Sequence, residues 1–182
     1  MDAPKFSFRK AEISDRTLIQ AWWNKPHVME FWDNSPSMWA NCEGFLQGNK
    51  VLFDYWIGNY ADRPFCLILT SGINQAPPEH FIPWLESVGE TWTIDFMIGE
   101  EDLLGKGLAH LALITFSKFI PRSVSALIID PAMTNPRAAH VYLKAGFVKI
   151  AQFTPTSGSW KGILHQIMKM KVGGRSGSEG PL

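Results

Sequence analysis

The hydrophobic positions change period several times along the chain, and each change marks an element. Phe6-Ser-Phe-Arg9 alternates with the two-residue period of a short strand. Ser14 and Asp15 are residues that cap helices, and Leu18, Ile19, Trp22 and Trp23 then recur at helical spacing. Residues 24–36 carry Asn24, Pro26, Asn34 and Pro36, which predicts loop or a broken helix around the aromatic pair Phe31-Trp32. A second helix is predicted over about 37–48, ending near Gly48. Val51 to Tyr60 and Phe65 to Thr70 read as strands joined through Ala61-Asp62-Arg63-Pro64. Residues 71–90, with Pro77, Pro78 and Pro83, form a long polar excursion of the kind that often serves function.

The second half is more regular. Thr91 to Ile98 is the strongest strand, with Trp92, Ile94, Phe96 and Ile98 on one face and Thr93, Asp95 and Met97 on the other. After an acidic, glycine-bearing turn at 99–107, Leu108, Leu111, Ala112, Thr115, Phe116 and Phe119 keep helical spacing until Pro121. Val124 to Ile129 is apolar throughout, as a strand buried on both faces would be. A helix from Pro136 to Ala145 closes at Gly146, and Phe147 to Phe153 and Gly162 to Met170 are two last strands. The order predicts a mixed α/β sheet covered by helices, in one domain over 1–172, with a flexible tail of linker composition over 173–182.

Composition narrows the function classes. A chain of 182 residues can bury a full core, which takes up most of its 8 Trp and 12 Phe. The formal net charge is zero, so no bulk field draws in nucleic acid or an anionic membrane. No apolar run reaches membrane-spanning length, and Met-Asp-Ala-Pro-Lys has no secretory character. Cys42 and Cys66 fit no metal spacing and favour a reducing, cytoplasmic setting.

A few residues stand out chemically. Gly105-Lys106-Gly107 opens a helix, where free backbone N–H groups and the helix dipole suit a pyrophosphate; the same glycines also suit a plain strand-to-helix turn. Asn135-Pro136 is a good helix start, and the Asn135 amide can also reach a ligand lying across the strand ends. Tyr142 shares a helix face with Ala138, Val141 and Ala145, so it points toward the sheet, as a core tyrosine or as a general acid. Asp95, at mid-strand, is either a solvated surface carboxylate or a base lining a wet cleft. Asp130 ends an apolar strand, where binding crevices form in open α/β sheets, and either holds a cation or caps the turn.

Together these segments resemble the GCN5-related N-acetyltransferase (GNAT) superfamily. Leu104-Gly-Lys-Gly-Leu-Ala109 is similar to its acetyl-CoA pyrophosphate loop. Asp130-Pro through Asn135, Arg137-Ala138, Tyr142 and Lys144-Ala-Gly-Phe147 are similar to its second cofactor motif. The aminoglycoside 6'-N-acetyltransferase branch looks nearest, with Asp95 ten residues before Gly105 and with His27-Val-Met-Glu-Phe-Trp32 on the acceptor side. The resemblance implies a mixed sheet of about six to seven strands flanked by about four helices. It implies acetyl-CoA as co-substrate, no metal, and a small cationic amine as acceptor, the enzyme being a monomer or homodimer. Asp95 and Tyr142 are the implied catalytic pair. The implied cofactor contacts are Phe96, Met97 and Ile98 on the strand, Leu104, Gly105, Lys106, Gly107, Leu108 and Ala109 at the turn, and Asn135, Ala138, Tyr142 and Lys144 on the later helix. Phe31, Trp32, Trp84, Asp95 and Asp130 are the implied acceptor contacts. Asp102 departs from the pattern, which has Gln or Arg there, and 71–92 matches poorly. Siderophore-pathway and other small-amine acyltransferases share the subgroup, and a non-catalytic acyl-CoA-binding module would keep the glycines without using Asp95.

Overall fold

The computed structural model describes residues 5–173, and the tail expected from residue 173 falls almost wholly outside them. The chain forms β1 (Phe6–Lys10), α1 (Arg16–Trp23), α2 (Pro26–Met29), α3 (Pro36–Leu46), β2 (Asp54–Tyr60), β3 (Arg63–Gly72), β4 (Glu90–Ile98), α4 (Leu108–Phe119), β5 (Val124–Ile129), α5 (Pro136–Ala145), β6 (Val148–Phe153) and β7 (His165–Lys171). Three short 3-10 turns, at Ile13–Asp15, Glu79–Trp84 and Glu101–Leu103, complete the described residues. The strands make one seven-stranded sheet in the order β1-β2-β3-β4-β5-β7-β6. All neighbours are antiparallel except β4 and β5. The short α2 is the element beyond the expected number of helices; Pro26 at its first position supplies the φ that starts it.

The sheet is covered differently on its two faces. Ile94, Leu127, Ile129, Met168 and Met170 pack with Leu108, Ala112, Leu113 and Phe116 of α4 and Tyr142 and Ala145 of α5. On the other face, Tyr55, Ile57, Leu67, Leu69 and Met97 pack under α1–α3 through Ile19, Trp22, Trp23, Cys42 and Leu46. The β5–β7 half of that second face is covered by the 73–85 segment, whose Ile73 and Phe81 meet Ile128 and Ile167. The proline-bearing excursion is therefore a lid on the core. Lys169 pins it, donating to the Trp84 carbonyl at 2.6 Å and pairing with Glu86 at 2.6 Å.

Local chemistry differs from expectation at two places. Asp15 does not cap α1: its carboxylate takes Arg9 at 2.6 and 2.8 Å and the Glu12 amide at 2.8 Å. An ion pair to β1 out-competes the local cap, and it holds the Asp15 carboxyl below its ordinary range. The β2–β3 turn is Ala61-Asp62 alone, both residues at positive φ, 48° and 64°. That is the tight hairpin geometry whose twist matches the strands. Arg63 and Pro64 belong to β3, where the register shift opposite Gly58/Asn59 accommodates a proline that has no N–H to give.

Candidate active site

The single parallel strand pair decides where the site can be. β4 and β5 are registered from Glu90↔Val124 to Thr93↔Ile128 and then part. β4 runs on to Ile98 against β3 alone, and β5 runs on to Ile129 against β7 alone. Gly99 N–H donates to the Phe65 carbonyl and Ile73 N–H to the Thr91 carbonyl. Backbone groups alternate sides along a strand, so the odd-numbered residues of β4 face β3. The amides of Ile94, Phe96 and Ile98 consequently face the gap, while that of Met97 turns to β3. The Ile98 carbonyl accepts Nε2 of His27 at 2.8 Å, which seats α2 at the mouth of the gap.

A cavity of about 890 Å³ passes through this parting from one face of the sheet to the other. On the α4/α5 side its wall holds Leu104, Gly105, Gly107, Leu108 and Ala109, then Asn135, Ala138, Tyr142 and Lys144. Gly105 and Gly107 both have φ of +71°, which an L side chain reaches only with strain, so the turn into α4 depends on glycine. α4 begins at Leu108 with no side-chain cap, leaving its first N–H groups open at the cavity. Asn135 caps α5 through Oδ1, which accepts the Ala138 amide at 3.1 Å. Phe96, Met97 and Ile98 form the floor, and Phe31, Trp32, Asp33, Asp95 and Asp130 the wall on the α1–α3 side.

The ionisable groups of the wall are tuned apart. Asp95 has no hydrogen bond or ion pair among the described residues. Burial, with Asp130 and Asp33 nearby, pushes its carboxyl up from 3.8 to about 7. Tyr142, buried on α5, is pushed well above the ordinary phenol range by burial and then by Asp95 and Asp130, so it stays protonated. Its hydroxyl has no hydrogen bond among the described residues. A carboxyl that titrates near neutrality and a phenol that keeps its proton thus line one cavity, an arrangement able to accept one proton and donate another.

A family model described as "Acetyltransferase (GNAT) domain" matches residues 12–155. The chain belongs to the GNAT acetyltransferases. It is an N-acetyltransferase, and solved structures share its fold. An aminoglycoside N(6')acetyltransferase from Legionella pneumophila is 28% identical, with TM-score 0.78 over 94% of each chain. AAC(6')-Ib, solved with coenzyme A and kanamycin, is 20% identical with TM-score 0.73, over 92% of this chain and 95% of that one. A spermidine N-acetyltransferase chimera from Vibrio cholerae and hSSAT is 16% identical with TM-score 0.68, over 91% and 95%. Among curated proteins nothing matches.

The cavity gathers most of the residues picked out in the sequence, with two exceptions. Trp84 lies off the cavity, half-buried against Ile73, Phe81, Ile128 and Ile167, because the excursion packs on the β5–β7 half of the sheet. Lys106 is exposed at the tip of the glycine turn and is not part of the wall. The departing Asp102 is held by Arg63 at 2.8 and 3.0 Å, and Arg63 also binds Glu100 at 2.7 Å; the acidic turn before the glycines is thus compensated from β3. Sequence reading placed His27 only within an acceptor-side segment and missed Asp33, Trp160 and His165, all of which lie on the wall. His27 stood in a recognisable segment, but its bond to Ile98 spans 71 residues. His165 meets Asp130 across 35 residues, and no local pattern marks such a partner.

Proposed function

We propose that this GNAT enzyme transfers the acetyl group of acetyl-CoA to a primary amine of a small polycationic molecule, aminoglycoside-like in chemistry. The observation that carries the reading is the parting of β4 and β5 with Asp95 and Tyr142 on the walls of the resulting cavity. The glycine turn and the open N-terminus of α4 suit a pyrophosphate, and coenzyme A accompanies the aminoglycoside in AAC(6')-Ib. On the opposite side three carboxylates, Asp33, Asp95 and Asp130, stand with Phe31, Trp32 and Trp160, a lining that favours ammonium groups.

In this reading the neutral amine attacks the thioester carbonyl, forming the C–N bond. Amides of Phe96 and Ile98 receive the developing oxyanion. As the C–S bond breaks, Asp95 takes the proton released from nitrogen, directly or through water, and Tyr142 gives its proton to the departing thiolate. Each proton lost is matched by one gained, and the products are an amide and free coenzyme A.

The test is release of free thiol from acetyl-CoA with a panel of kanamycin, ribostamycin, spermidine, lysine and, as an anionic amine, glutamate. Turnover with the polycations and not with glutamate is expected. Tight acetyl-CoA binding with no thiol release from any amine would leave only a binding module, and glutamate as the best acceptor would refute the cationic site.

A further inference from the structure

One buried polar group on the cavity wall is not used by this chemistry. His165, the first residue of β7, is 6% exposed, with its ring between those of Phe153 and Trp160 at centroid distances of 5.5 and 5.8 Å. Its Nδ1 lies 2.6 Å from the Asp130 carbonyl oxygen and 3.4 Å from Oδ2 of the Asp130 carboxylate. A carbonyl can only accept, so Nδ1 carries the proton and donates it. Nε2, on the far side of the ring, is buried without any partner. In either charge state that leaves one orphaned polar atom, a cost that a phenyl ring between the same two aromatics would not bear. What the imidazole adds over a phenyl ring is its hold on residue 130.

That hold falls where the backbone is otherwise committed elsewhere. Asp130 follows β5 beyond its parting from β4, and Pro131 turns the chain away. β7 and the residue before it lace the turn through Gln166 N–H to the Pro131 carbonyl at 3.0 Å and Met133 N–H to the Leu164 carbonyl at 2.8 Å. These bonds fix the turn, but among the described residues only His165 lies within ion-pair distance of the Asp130 carboxylate. We infer that His165 is a positioning residue that sets the carboxylate of Asp130 toward the acceptor amine. The inference rests on the reading of Asp130 as an acceptor contact.

Two substitutions separate positioning from packing. His165→Phe keeps the ring and removes Nδ1–H. His165→Asn places an amide N–H2 close to where Nδ1 was and restores a donor. Crystal structures of both come first, because they need no substrate. The Asp130 carboxylate is expected to leave its place in His165→Phe and keep it in His165→Asn; an unmoved carboxylate in both overturns the inference. With kanamycin as acceptor probe in thiol release, His165→Phe is expected to raise the acceptor KM by about tenfold, as one carboxylate contact to the amine is misplaced. The KM for acetyl-CoA stays constant, most of the loss is in KM rather than kcat, and His165→Asn recovers most of it. Equal losses in kcat for both variants, with no recovery in His165→Asn, mean a packing role and overturn the inference. Asp130→Ala runs beside them. A raised KM there with a silent His165→Phe refutes His165 alone. An unchanged KM in Asp130→Ala refutes the acceptor contact itself, a distinguishable result.

Discussion

Replacing Asp95 by Asn should make the protein more stable and much less active, with the gain in stability confined to high pH. The carboxyl ordinarily titrates at 3.8 and is pushed to about 7, first by burial and then by Asp130 and Asp33. A carboxyl raised in this way lends stability below its unfolded pKa and loses that contribution as pH rises through the folded value. At about 1.4 kcal/mol per pH unit, the ceiling is about 4 kcal/mol. Asp95 is half-buried and lines the open cavity, so about half of that, ~2 kcal/mol, is the expected figure. Asparagine keeps the shape and cannot ionise. Asp95→Asn should therefore melt with the wild type at about pH 4 and exceed it by about 2 kcal/mol at about pH 8.5. For a domain of this size that is roughly 4–8 °C in Tm. The assay is paired thermal and urea melts of the ligand-free proteins at the two pH values, with thiol release measured on the same preparations. Turnover should fall by about 10²–10⁴ with the KM for acetyl-CoA unchanged. A stability difference that is the same at both pH values would refute the raised carboxyl. Normal turnover would refute Asp95 as the base.

Tyr142→Phe should cost less than about 0.5 kcal/mol in urea melts, because the hydroxyl makes no hydrogen bond among the described residues, while kcat falls by about tenfold or more; near-normal turnover would remove the phenol from the chemistry. Gly107→Val should weaken acetyl-CoA binding in calorimetry and cost about 1–2 kcal/mol from a β-branched residue held at φ +71°; its Cβ meets only His110 Cε1 at 3.7 Å, so the protein still folds. Trp84→Ala should lower stability by about 2 kcal/mol, less than for a fully buried tryptophan, and leave the acceptor KM where it was; a raised KM would return the excursion to the acceptor site.

Period and capping chemistry made much of this molecule legible. The alternation of β4 put Asp95 opposite Ile94, and the structure separates them in that way, Ile94 with α4 and α5, and Met97 with α1–α3. The 138/142/145 spacing turned Tyr142 inward, and Asn135-Pro136 starts α5 as its residue types require. What stayed hidden depends on contacts between distant segments. How long β4 and β5 remain paired follows from packing on both faces, and no local period encodes it. The choice of Asp15 for Arg9 over its own helix, of Trp84 for the core over the cavity, and of His165 for Asp130 are tertiary competitions won by partners far away in sequence.

The most direct measurement is a crystal structure with coenzyme A, the product of transfer, bound to the wild-type protein. The pyrophosphate should lie on the backbone amides of 104–108 and the pantetheine arm in the gap between β4 and β5. The sulfur should lie within roughly 3–4 Å of the Tyr142 hydroxyl, the reach of a hydrogen bond to sulfur. Coenzyme A seated outside that gap, or a sulfur out of reach of Tyr142 with Asp95 on another surface, would contradict the proposed chemistry.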